Sequence, residues 1–247
     1  MQKIIGGILV LFVLVACHKG VPEGNMKNGQ VALTFDDASI DNWYDNLRLL
    51  DSLKIKATFY ICNYHTLSKQ QKERLKEMER RGHEIAYHTT THADLAKEVA
   101  RNGLAQTEEK EILQDLYKMR ADGFKVENFA YPYGSHTAQL NTCLLRTFKS
   151  VRALSNKQNY YKSLVGETGE KNVLYGANAD NNSRLKDDKI ISLMNDAKDH
   201  HDCLVLVAHQ INNPALALQI SKQRLQLIAQ NAKEKGLRFV TVSEIVK

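Results

Sequence analysis

Three groups of residues have the types and spacing to do chemistry: the adjacent carboxylates Asp36 and Asp37, the pair His88 and His92 separated by three threonines, and His209 at the end of an apolar run. Neighbouring carboxylates raise each other's pKa unless a cation intervenes, so a metal on one and a catalytic proton on the other would use both. Two histidines four apart lie on one face of a helical turn and reach one ion. With a carboxylate they supply three protein ligands and leave a position open, the pattern of a catalytic zinc-type site. Thr89, Thr90 and Thr91 disfavour helix, so a tight loop serves that pair equally well. The intrinsic pKa of His209 suits a general acid near neutrality. Each feature alone has a plainer reading: Asp-Asp as turn or cap chemistry, the histidine pair as a surface coincidence, His209 as a satisfied core residue.

The elements that must position these residues alternate along the chain. Strand-like runs fall at Val31–Phe35, Lys56–Ile61, His83–Tyr87, Asn128–Tyr131, Ser150–Leu154, around Val173–Tyr175, Cys203–Ala208 and Leu237–Val242. Between them, helical spacing predicts helices over 42–53, from a Ser68 cap to Arg81, from a Thr107 cap to Ala121, over 135–148, over 187–200 and from a Ser221 cap to Lys235. Residues 155–183 carry the fewest signals. This alternation argues for an α/β fold with a parallel sheet. About seven β/α units in roughly 220 residues suit a distorted, TIM-like (β/α) barrel, with a doubly wound open sheet as the rival. No glycine-rich phosphate loop follows the first strand, which disfavours a nucleotide fold. Asp36-Asp37, His88, Pro132-Tyr133 and His209 all follow predicted strands, and barrel sites occupy that face. This shared placement weighs against the plainer readings.

With 43% hydrophobic residues, 25% charged and only 3 Pro in 247, the chain suits one sizeable core without an interdomain linker. Lys3 followed by the short apolar run Ile4–Val15 reads as a targeting segment, and Leu14-Val15-Ala16-Cys17 resembles the bacterial lipobox. The expected organisation is a lipoprotein signal peptide over 1–16, a lipid-bearing Cys17 with a polar tether over 17–28, and a barrel over 29–247. The protein is then exported to the cell envelope, at the outer membrane or periplasmic face, and tethered to a membrane through Cys17. Loss of Lys3 leaves 33 basic against 28 acidic residues, a modest excess with no basic cluster interleaved with aromatics, so no nucleic-acid partner is expected. Cys62, Cys143 and Cys203 are an odd set that argues against a disulfide framework; Cys62 and Cys203 read as buried thiols.

The motifs Thr34-Phe35-Asp36-Asp37, His88-Thr89-Thr90-Thr91-His92, Phe129-Ala130-Tyr131-Pro132-Tyr133-Gly134 and Leu206-Val207-Ala208-His209 together resemble, in order and spacing, the polysaccharide deacetylases: the NodB-homology enzymes of carbohydrate esterase family four. The resemblance covers roughly residues 28–247 and implies a distorted (β/α) barrel with a divalent metal, zinc, at its mouth. It implies Asp37, His88 and His92 as metal ligands, Asp36 as general base, and Tyr133, beside Pro132, as the backbone donor to the oxyanion. His209 would be the acid that protonates the leaving amine or alcohol, oriented by Asp180. The implied substrate is an acetylated polysaccharide, N-acetylglucosamine-type or O-acetylated, acted on by a monomer. One departure stands out. The family's third motif often carries an Arg that pairs with the base, and Ala130 stands there, with Arg152 or Arg184 as substitutes. This departure motivates an alternative reading, a carbohydrate-binding module with weak turnover; hydrolysis of a non-peptide C–N amide is another.

Overall fold

A computed structural model describes residues 28–166 and 171–246. The predicted leader, Cys17 and nearly all of the tether lie outside the described residues. Seven parallel strands close into a barrel: β1 (Gln30–Asp37), β2 (Ala57–Ile61), β3 (Glu84–Tyr87), β4 (Asn128–Ala130), β5 (Ser150–Leu154), β6 (Val173–Asn178) and β7 (Cys203–Ala208). Closure comes from β1, which pairs with β2 from Leu33↔Ala57 to Asp37↔Ile61 and with β7 from Gln30↔Cys203 to Phe35↔Ala208. Among the described residues no helix is long and apolar enough to cross a membrane.

Strand alternation builds two cores. Val31, Leu33 and Phe35 of β1 point outward and join Phe59, Ile61, Ile85, Tyr87 and Phe129 beneath the helices. Ala32, Tyr60, Ala86, Ala130, Leu174 and Val205 fill the lumen. The alanines among them leave space near the mouth for the buried Arg152 of β5. The opposite end is sealed by a polar cluster. Glu84 accepts from Thr58 Oγ1 at 2.9 Å and from Ser243 Oγ at 2.8 Å, and Val242 N–H donates to Thr58 Oγ1 at 2.9 Å.

Several helix ends fall where their signals stand. Ser68 forms a capping box on the helix Lys69–Arg80, and Gly82 follows it with φ 85°. Ser221 caps Lys222–Lys235, and Gly236 ends it in the left-handed region. Three expectations are corrected. Residues 42–53 break into two short helices, Ile40–Asp45 and Leu47–Ser52. Thr107 is not a cap: it ends a short helix, Leu104–Thr107, its hydroxyl donates to Gly103 O at 2.8 Å, and a π-helical turn, Glu108–Leu113, follows before Gln114–Ala121. The closing segment is a two-residue strand, Arg238–Phe239, then a helix, Val242–Ile245, because Thr241 and Glu244 form a capping box that turns the chain under the barrel. Cys62, Cys143 and Cys203 are buried free thiols.

Candidate active site

Asp36 has lumen parity on β1, and Asp37 would point the opposite way in a regular strand. The backbone turns instead: Asp37 takes φ 89°, and its Oδ1 comes 3.1 Å from His92 Nε2 and 3.8 Å from His88 Nε2. Asp37, His88 and His92 each offer a ligand atom, all within 4.8 Å of one another. A tetrahedral zinc-type ion with bonds of about 2.1 Å needs donors about 3.4 Å apart. The cluster fits that spacing, and Asp37 Oδ1 is buried without a hydrogen-bond partner, as a ligand atom would be.

The protonation pattern suits cation binding too. His88 Nδ1 lies 2.8 Å from the Ala130 carbonyl, which can only accept, so the ring proton sits on Nδ1 and Nε2 presents its lone pair to Asp37. Burial pushes the His88 pKa down to about 4, so the ring is neutral at pH 7. For Asp37, burial works to raise the pKa, but the bond to His92 and the electrostatic pull of the neighbouring histidines outweigh it and hold the carboxyl below its usual range. His92 sits in a loop rather than on a helix. Thr89 at φ 71° and His92 at φ 60° are both left-handed, a conformation costly for a β-branched threonine.

Asp36 has its cation. Arg152 Nη2 donates to Asp36 Oδ1 at 2.6 Å and also to Oδ2, and the guanidinium lies 5.1 Å from the Tyr60 ring centroid. Arg152 therefore occupies the place left by Ala130, whose backbone carbonyl orients His88, while Arg184 forms no ion pair with Asp36. His209 Nδ1 lies 2.6 Å from Asp180 Oδ2, and its backbone N–H donates to Asp180 Oδ1 at 3.2 Å. Burial works to lower the His209 pKa, but the bond to Asp180 and the charges of Asp36, Asp180 and Asp37 outweigh it and raise the ring above its usual value. Arg224 braces the Asp180 turn by donating from Nη1 to Asp180 O at 2.9 Å. Trp43 Nε1 donates to His209 O at 2.7 Å, and Asn42 bonds Ile211 in both directions. Tyr133, at φ 60° and 67% exposed, sets its ring 4.8 Å from the His92 ring, and Pro132 is buried beside it.

The structure thus gathers Asp36, Asp37, His88, His92, Tyr133, His209 and Asp180 at the C-terminal ends of the strands. Arg224 and Asn42 support this constellation without standing in any motif. Asn42 and Trp43 follow Asp36-Asp37 so closely that their place in the sequence was the one available signal.

Barrel and mouth define a class: a (β/α) barrel with a histidine–carboxylate cluster at the C-terminal ends of its strands. The family model for polysaccharide deacetylases matches residues 23–147, just over half of the chain, and the chain belongs to that family. It is 29% identical over 116 residues to YxkH of Bacillus subtilis (strain 168), a protein assigned to the polysaccharide deacetylases; the match covers 44% of this chain and 38% of YxkH. It is 30% identical over 111 residues to a protein of Arthroderma benhamiae assigned as a peptidoglycan-N-acetylglucosamine deacetylase, covering 44% of this chain and 24% of that one. The chain thus spans well under half the length of both relatives. The fold is shared with the chitin deacetylase of the fungal pathogen Colletotrichum lindemuthianum, at a TM-score of 0.55 and 21% identity over 88% of this chain and 87% of that chain.

Proposed function

We propose that the protein is a metal-dependent hydrolase that removes acetyl groups from an acetylated polysaccharide of the cell envelope, N-acetylglucosamine-type or O-acetylated. One observation carries this reading: three chemically distinct units, the Asp37–His88–His92 donor set, the Arg152-paired Asp36 and the Asp180-bonded His209, converge at one barrel mouth. The assignments of the two relatives, a polysaccharide deacetylase and a peptidoglycan-N-acetylglucosamine deacetylase, support the substrate class.

In this reading Asp37, His88 and His92 hold a divalent cation, zinc, which when bound supplies Lewis-acid stabilisation of charge on oxygen and makes water more acidic. Asp36, fixed by Arg152, accepts the proton of the attacking water as the new C–O bond forms at the acetyl carbon. The backbone N–H of Tyr133, on the left-handed turn after Pro132, donates to the oxygen that gains negative charge. His209 keeps its Nδ1 proton on Asp180 and delivers the Nε2 proton to the departing nitrogen or oxygen as the bond to the acetyl carbon breaks. Acetate and a free amine or alcohol result.

The test is acetate release from acetylated chitin- or peptidoglycan-type oligosaccharides and from O-acetylated glycans. Release is expected with zinc or another divalent cation, to be abolished by a chelator and to be lost in Asp36→Asn. Absence of acetate under every divalent metal, or an undiminished Asp36→Asn variant, would sink the reading. A binding module without turnover drew its motive from the residue at Ala130; the ion pair of Arg152 with Asp36 removes that motive. Acetyl-amine, acetyl-ester and cyclic-amide substrates assayed side by side separate deacetylation from hydrolysis of other C–N amides.

The proposal includes export as a lipoprotein carrying lipid on Cys17, supported by the segment Leu14-Val15-Ala16-Cys17 alone, and a monomeric barrel. Metabolic labelling with a radioactive fatty acid should mark the protein and fail to mark Cys17→Ala.

A further inference from the structure

The loop that carries His92 is strained at both ends, at Thr89 and at His92 itself, and holds no glycine. Something outside the loop must hold it in shape. The π-helical turn Glu108–Leu113 lies against it, and turns of this kind recur at functional sites. At its centre Glu111 meets the loop through both its side chain and its backbone. Thr91 N–H donates to Glu111 Oε2 at 3.0 Å, and Thr91 Oγ1 donates to Oε1 at 2.9 Å. Thr90 N–H donates to the Glu111 carbonyl at 2.9 Å. Tyr87 Oη, at the end of β3, donates to the same carbonyl at 3.1 Å and lies 2.9 Å from Thr90 Oγ1. On the loop's other side Asn63 N–H donates to the Thr90 carbonyl at 3.1 Å.

Glu111 is 7% exposed and forms no ion pair among the described residues. A buried carboxylate satisfied only by hydroxyl and amide donors is costly to keep, so a role in ordering what it bonds accounts for its presence. Thr91 is the residue immediately before His92. Fixing its N–H and its hydroxyl on one carboxylate fixes the direction in which the chain delivers the His92 imidazole towards Asp37 Oδ1.

We propose that Glu111 is a positioning residue that preorganises His92 for cation binding by clamping Thr91 from the π-helical turn. The proposal rests on the reading of Asp37, His88 and His92 as a cation site. It is tested on the metal-stripped folded barrel by titrating zinc against a chromophoric chelator and by recording the absorption spectrum of the cobalt-substituted protein. Loss of such an outer partner lowers metal affinity by about 10–100-fold. That loss is expected for Glu111→Gln, which leaves one acceptor oxygen for the two Thr91 donors, and for Thr91→Val, which removes the hydroxyl. Thr91→Ser, which keeps the hydroxyl, should bind as the unaltered protein does. Both weakened variants should also show an altered cobalt spectrum. A merely structural Glu111 would lower the melting temperature of the metal-free protein and leave affinity and spectrum alone, which would overturn the proposal while the cation site stands. Absence of binding in the unaltered protein would overturn both. Should Glu111→Gln fail to fold, the pair Thr91→Val and Thr91→Ser decides alone.

Discussion

Asp36 is 4% exposed, and Arg152, wholly buried, donates to both of its oxygens. Removing one partner of such a pair strands the other, typically at about 3–5 kcal/mol of stability. Arg152→Met should therefore lower urea-unfolding stability by about that amount. In the variant molecules that remain folded, kcat for acetate release should fall about 100-fold or more, because the base loses its fixed position. Arg152→Lys should recover only part of that, since a flexible ammonium does not reproduce a planar guanidinium. An unaltered kcat in folded Arg152→Met would count against Asp36 as the base. His209 gives a prediction with a sign. Its folded pKa is raised, so the proton it binds stabilises the fold below the unfolded histidine value, and that contribution is lost as pH rises through the folded value. Asp180→Asn keeps a carbonyl for the His209 N–H but loses the charge. Its deficit in melting temperature should be larger near pH 5 than near pH 9, the His209 proton resonance should titrate at lower pH, and an equal deficit at both pH values would refute the assignment. Asp36, Asp37, His88, His92 and His209 were legible because each stands in a contiguous motif at a strand end. Arg152 could be offered only as one of two arginines, since 116 residues separate it from Asp36, and Glu111 carried no signal because a helix-forming glutamate looks like any solvated one.

Among the elements, β6 makes room for Arg152. A Cβ on Gly176 would collide with Val207 and come within 3.1 Å of Arg152 Cδ. Gly176→Ala is therefore an overpacking change expected to cost about 1–3 kcal/mol. Because one of the two atoms in the way belongs to the partner of Asp36, kcat should drop further than the population of folded protein does. Urea titration and activity measured on the same preparation separate the two losses, and an activity that merely tracks stability would show that β6 does not set the Arg152 side chain. The elements differ in how plainly the chain announces them. Asp187–His200 and Cys203–Ala208 have the predicted bounds, and Ser221 with Gly236 brackets its helix, because periodicity and cap residues agree there. The π-helical turn over Glu108–Leu113 was invisible, since the acidic first turn that suggested a Thr107 cap is also what a continuing helix accommodates. Leu237–Val242 reads as one strand because Leu237, Phe239, Val240 and Val242 are apolar, and the Thr241–Glu244 capping box turns its end into a helix.

At the scale of the whole molecule, the barrel has two ends with different tasks. The chain enters β1 at Gln30, at the end sealed by Glu84, Thr58 and Ser243, and leaves it at Asp36-Asp37 in the mouth. An eight-residue strand is about 26 Å long, so the entry point and the candidate site stand a barrel's length apart. In the proposed lipoprotein the tether of residues 17–28 joins the sealed end, and covalent geometry limits its reach to about 40 Å. In that arrangement the mouth can reach polymer within that radius without the lipid taking part in the chemistry. Cys17→Ala, made without residues 1–16, should be found in the soluble fraction rather than at the membrane. On a small, soluble acetylated oligosaccharide its kcat/KM should stay within about twofold of the lipidated form, because nothing at the sealed end touches the reacting groups. On insoluble envelope polymer the anchored form should be the faster of the two, since tethering raises the effective concentration of barrel near its substrate. Loss of activity on the soluble oligosaccharide in Cys17→Ala would instead place the anchored end and the site in contact, against the topology of β1.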